Sequence, residues 1–197
     1  MACARPPTRA STPAGPTRLA ILDPDYGASL EHPAAIRPGA RLEALALPLA
    51  DGGNFELAAT QAAGPVVLLW IGGAEHEPLT TWIGDLDHAL AQLEQRAATL
   101  VLVRPLDPDA ALRWATELRL QTPVAADPEG QLARLLDADG EDRAPLEFAV
   151  LIVAEQTLVY RKLGGRRPQL AELLAVLDGE AEGLRCCPED CRGAPCQ

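Results

Sequence analysis

The chain has 197 residues, 48% hydrophobic and 23% charged, which is one domain's worth of sequence with enough apolar side chain to bury a core unaided. Its formal net charge of −11 repels nucleic acid, and no Lys/Arg stripe with interleaved aromatics offsets that repulsion. The longest apolar run, Pro65 to Ile71, falls far short of the roughly 20 residues a membrane span needs.

Residues 1–36 are rich in Pro, Ala, Ser, Thr and Gly and carry Arg5, Arg9 and Arg18 with no acid before Asp23. There is no apolar h-region, so a secretory signal is not expected and the expected compartment is the cytoplasm. Pro6, Pro7, Pro13 and Pro16 forbid a continuous helix, and the stretch reads as a disordered arm. His32 lies in it and is expected to be solvated. Residues 37–180 read as the domain, and 181–197 as a separate tail.

Pro38-Gly39 marks the entry to that domain. Leu45, Leu47 and Leu49 alternate with smaller residues up to Asp51-Gly52-Gly53, and Phe55 and Leu57 alternate after it. Period-two hydrophobicity on both sides of an Asp-Gly turn predicts a β-hairpin. Val66 to Ile71 is a continuous apolar run after a Gly-Pro break, the pattern of a strand covered on both faces. From Pro78, the residues Trp82, Leu86, Leu90, Leu93 and Ala97 fall on one helical stripe. Thr99 to Val103 is a second buried strand. Asp107 as N-cap and Pro108 at the first helical position start a helix carrying Leu112, Ala115 and Leu118 to about Leu120. Pro123 to Ala125 is short and extended, and Asp127-Pro128-Glu129-Gly130 leads into a helix with Leu132, Leu135 and Leu136. Phe148–Val153 and Thr157–Tyr160 form two strands around Glu155-Gln156, and Gln169–Leu177 is a last helix ending at Gly179.

A β-α-β start and a β-β-α finish are the halves of the thioredoxin architecture, a mixed central sheet with helices on both faces and here an N-terminal hairpin extension. Elaborated in this way, residues 37–178 resemble the alkyl hydroperoxide reductase / thiol-specific antioxidant family, which is peroxiredoxin-like. Arg37-Pro38-Gly39-Ala40 with the following hairpin resembles the family's entry. Asp127-Pro128-Glu129-Gly130-Gln131-Leu132-Ala133 is similar to its "Asp-Pro-x-Gly-x-Leu-Ala" helix start. Pro145 sits where thioredoxin-fold proteins carry the proline, typically cis, that abuts the active site.

The resemblance implies a thiolate at the N-terminus of the helix after the first buried strand, its pKa lowered by the helix dipole and a nearby Arg. This chain departs from the pattern there. Laying a Cys-Pro-x-Cys motif on Pro78 puts Glu77 and Thr80 where the cysteines belong, and no cysteine lies between Cys3 and Cys186. A carboxylate cannot form a sulfenate, and a threonine hydroxyl does not replace a thiol. Arg143 falls near where the family places the Arg that steadies its thiolate, and here it is left to pair with Glu77. His76, with Glu75 and Glu77, reads either as an acid–base or metal cluster or as dipole-complementing residues at a helix start. His88 lies on a polar helix face.

The other thiols crowd into the tail: Cys186, Cys187, Cys191 and Cys196. The spacing CC-x3-C-x4-C admits a single zinc ion, a disulfide from Cys187 to Cys191 or Cys196, or exposed reactive thiols. Two functions from different classes follow. One is a redox-inactive scaffold whose groove by Glu77 and Pro145 binds a protein segment. The other is a thiol oxidoreductase working through tail thiols, Cys187 and Cys191 foremost.

Overall fold

The computed structural model describes residues 19, 32–42, 44–73, 76–139 and 145–180. In chain order these form β1 (Ala46–Pro48), β2 (Asn54–Glu56), α1 (Leu57–Gln61), β3 (Val66–Ile71), α2 (Glu77–His88), α3 (Leu90–Glu94) and β4 (Thr99–Arg104). They continue as α4 (Pro108–Leu118), β5 (Val124–Ala126), α5 (Gln131–Leu135), β6 (Phe148–Ala154), β7 (Thr157–Leu163) and α6 (Leu170–Leu177).

The predicted hairpin is present, with Leu47 opposite Phe55 and the turn over residues 49–53. The main sheet runs β5-β4-β3-β6-β7. Strands β3, β4 and β5 are parallel, while β6 and β7 run antiparallel to their neighbours. Alternate residues of the central strands serve two cores. Val67, Leu69 and Ile71 face α2, α4 and α6, packing with Trp82, Ile83, Trp114 and Leu173. Val66, Leu68 and Trp70 face the hairpin and α5, packing with Leu47, Phe55 and Leu132. Every residue of β3 is therefore buried, which is why the sequence shows an unbroken apolar run there.

Local capping works as the residue types dictate. Asp107 accepts the N–H of Ala110 at 2.8 Å, with Pro108 in the first turn of α4. The Asp127 carboxylate accepts the N–H groups of Gln131 and Leu132 at 2.6 and 2.9 Å, which fixes the start of α5.

Three expectations are corrected. The stripe from Trp82 to Ala97 is two helices, not one: α2 stops at His88, and α3 ends with Ala97 exposed and left-handed at φ 53°. The N–H of Ala98 reaches back to the Leu93 carbonyl there, a Schellman closure without glycine. Leu112 is 45% exposed, since α4 turns Ala111 and Trp114 inward instead. His32 is buried, its Nδ1 2.9 Å from the Asp137 carbonyl, and Ile36 N–H donates to the Leu135 carbonyl. No helix among the described residues is long and apolar enough to cross a membrane.

Candidate functional site

At the end of β3 the chain passes through Gly72-Gly73, whose N–H groups both donate to the Glu147 carbonyl, at 3.1 and 3.0 Å. The approach is close. A Cβ on Gly73 would lie 3.0 Å from Glu147 Cα and 2.9 Å from its Cγ, so any other residue there would have to displace Glu147. The loop leaving β3 is thus stitched to the segment Pro145–Glu147 that enters β6.

Three residues after Gly73, His76 caps α2. Its backbone is extended and its Nδ1 accepts the N–H of Leu79 at 3.3 Å. An accepting Nδ1 leaves the proton on Nε2, which donates to Oε1 of Glu147. The same oxygen accepts from Arg167 Nη2 at 2.8 Å, and that nitrogen stands 3.4 Å from the His76 ring. Arg167 comes from the turn after β7. The next residue, Pro168, is tied to α2 by the Trp82 indole N–H, which donates to its carbonyl at 3.0 Å. Trp82 in turn packs on Phe148, ring centres 5.1 Å apart. One aromatic pair therefore fixes both loops that supply the ion pair.

The cluster is half-buried. Desolvation is the largest single influence on Glu147 and pushes its pKa up. The hydrogen bonds and charges of Arg167 and His76 together outweigh it and hold the carboxyl below its ordinary value.

Glu77 and Thr80 do lie in the first turn of α2, as the Pro78 register requires. Glu77 is exposed and complements the helix dipole, and among the described residues its carboxylate makes no hydrogen bond or ion pair. Thr80 Oγ1 donates to the Glu77 carbonyl at 3.0 Å, a bond internal to the helix. Pro145 is exposed ahead of β6, and the peptide bond that joins it to Ala144 lies outside the described residues. Arg143, Glu75 and the tail cysteines Cys186, Cys187, Cys191 and Cys196 lie outside the described residues. The expected pairing of Glu77 with Arg143 therefore falls outside the described residues, while Glu147 pairs with Arg167, two residues that no spacing in the sequence singled out.

Chemically, the arrangement holds charge in place. His76 has both ring nitrogens committed, one to the cap and one to Glu147, so it offers no free base. Arg167 is neutralised by Glu147. No group of three His, Cys, Asp or Glu side chains among the described residues is placed to hold a metal ion.

The five-stranded mixed sheet with helices on both faces and a hairpin before it is a peroxiredoxin-type thioredoxin-like scaffold. The family model described as the AhpC/TSA family matches residues 38–162, and the chain belongs to that family. Among solved structures it is similar to a cysteine mutant of PrxQ from Xylella fastidiosa, with TM-score 0.65 and 18% identity, covering 75% of this chain and 98% of that one. It is also similar to Mycobacterium tuberculosis AhpC, with TM-score 0.64 and 16% identity, covering 77% of this chain and 97% of that one. A third likeness is to the peroxidoxin BcpB of Mycobacterium tuberculosis, with TM-score 0.60 and 16% identity, covering 75% and 95%. At these identities the likeness is one of fold. No curated protein matches the chain in sequence.

Proposed function

We propose that this AhpC/TSA-family chain is a binding protein that has given up thiol chemistry at the family's usual seat. One observation carries the reading. The first turn of α2 presents Glu77 before Pro78, and the neighbouring His76 is locked into the cap and the Glu147–Arg167 pair. A carboxylate at that position complements the helix dipole and cannot be oxidised. Glu77 and Pro78 are exposed at the start of α2, and Pro145 is exposed ahead of β6, groups suited to an extended protein segment.

A second reading rests on the placement of the thiols. After Cys3, every cysteine falls in residues 186–196. Family chemistry relocated to Cys187 and Cys191 would make the chain a peroxide- or disulfide-reducing oxidoreductase, whereas under the binding reading the four tail thiols would be open to zinc.

Thiol-alkylation mass spectrometry of the full chain, with and without peroxide and with and without chelator, separates these readings. The binding reading expects alkylation of the tail thiols to be unchanged by peroxide. Loss of alkylation at Cys187 and Cys191 on peroxide treatment, reversed by a reductant, would overturn it in favour of the oxidoreductase. Alkylation that appears only with chelator assigns zinc.

A further inference from the structure

At the opposite end of the sheet from His76 lies a groove of about 690 Å³. The register fixes that opposition: Ile71 pairs with Phe148 at the His76 end, while Val66 pairs with Val153 at the groove end. Its apolar walls come from Pro65, Ala97, Ala154, Val159 and Leu177. Its polar rim carries Glu155 and the ion pair of Arg96 with Asp178, whose bonds are 2.7 and 2.6 Å long.

One further residue lines the groove, and it comes from far away in sequence. Leu19 lies in it and packs against the core cluster that contains Val159 and Leu177. Leu19 is also the first residue of Leu19-Ala20-Ile21-Leu22, the only run of four aliphatic side chains in residues 1–31. Burying the Ile and Leu side chains removes apolar surface from water, so a run anchored at its first residue gains by following the apolar walls. Charge agrees with this seating. Arg18 precedes the run, and the Glu155 carboxylate on the rim makes no hydrogen bond or ion pair among the described residues. Chain length agrees as well. Ten residue steps separate Leu22 from His32, which is anchored on Asp137. Fully extended they reach about 33 Å, against about 20 Å for a six-residue strand.

We propose that the segment Leu19–Leu22 occupies this groove as an intramolecular apolar clamp, with Arg18 set against Glu155. The N-terminal region is then part of the domain's packing at the end away from the candidate site, and not merely a leader to it.

Methyl NOE spectroscopy of the full chain tests this. Contacts from the Ile21 and Leu22 methyls to those of Val159 and Leu177 are expected, and contacts confined to Leu19 would overturn the proposal. Mixing two differently labelled preparations of the chain distinguishes the occupant. Contacts between labels would give the groove to a second copy and overturn the intramolecular assignment. A charge reversal supplies an independent reading that leaves the apolar packing intact. Arg18→Glu should weaken the Ile21 and Leu22 contacts, and Arg18→Glu with Glu155→Arg should restore them. Contacts indifferent to both substitutions would remove Arg18 and Glu155 from the proposal.

Discussion

Arg167 donates a 2.8 Å hydrogen bond to the Glu147 carboxylate, joining the turn after β7 to the entry of β6 at the mouth of α2. The pair stands beside the start of the helix that follows the first buried strand, and each charge has its partner.

Its pH dependence has a definite sign. The Glu147 carboxyl is held below its ordinary value of 4.5 in the folded chain. The stabilisation is therefore complete above 4.5 and is lost as pH falls through the lowered folded value. Arg167→Ala should cost about 0.5–1 kcal/mol at pH 7, and the difference from the parent chain should shrink in acid below 4.5. Urea midpoints of the two chains at neutral and acid pH check this; a difference that does not vary with pH would contradict it.

A larger effect is expected at Asp87. This buried carboxylate accepts the N–H groups of Gln121 and Thr122 and the Thr122 hydroxyl, the last two at 2.7 and 2.6 Å. It joins α2 to the turn before β5. Asp87→Ala strands those buried donors and should destabilise the fold by about 3 kcal/mol. Denaturant unfolding measures it, and a cost below about 1 kcal/mol would show that the donors find other partners.

The proposed loss of thiol chemistry at the start of α2 can be probed by placing a thiol there. Glu77→Cys places a thiol in the first turn of a 12-residue helix, where the dipole favours the thiolate. Its pKa should fall below the ordinary value of about 8.5. The pH profile of alkylation at residue 77, read by peptide mass, reports it separately from the native cysteines. A profile centred at or above the ordinary value would contradict the electrostatic account of this turn.

The tail carries no part of the fold in this account. Deleting residues 186–197 should leave unfolding free energy within about 0.5 kcal/mol of the parent. A clear loss of stability, measured by urea unfolding, would mean that the tail docks on the domain.

Much of the architecture was legible in the residues, because caps and strand patterns are local. Asp107-Pro108 and Asp127 to Gly130 announce their helices by side-chain chemistry, and β3 announces its two-sided burial by its composition. Helix ends were harder to read. α3 and α4 stop at left-handed Ala97 and Arg119, at φ 53° and 55°, without the glycine that usually marks such a stop. His32 could not be placed from sequence because its partner, the Asp137 carbonyl, is 105 residues away. The same holds for the site. Pro78 and the strand before it locate Glu77 and Thr80, but Glu147 and Arg167 meet only because Trp82 holds Pro168 and packs on Phe148. No periodicity records a pairing made through two loops.

The most direct measurement is the steady-state consumption of hydrogen peroxide by the full chain with a thiol reductant present, set beside free cysteine at equal thiol concentration. The account predicts consumption no faster than that of free cysteine, and unchanged by Cys187→Ser with Cys191→Ser. Turnover well above free cysteine that disappears in that double substitution would contradict it.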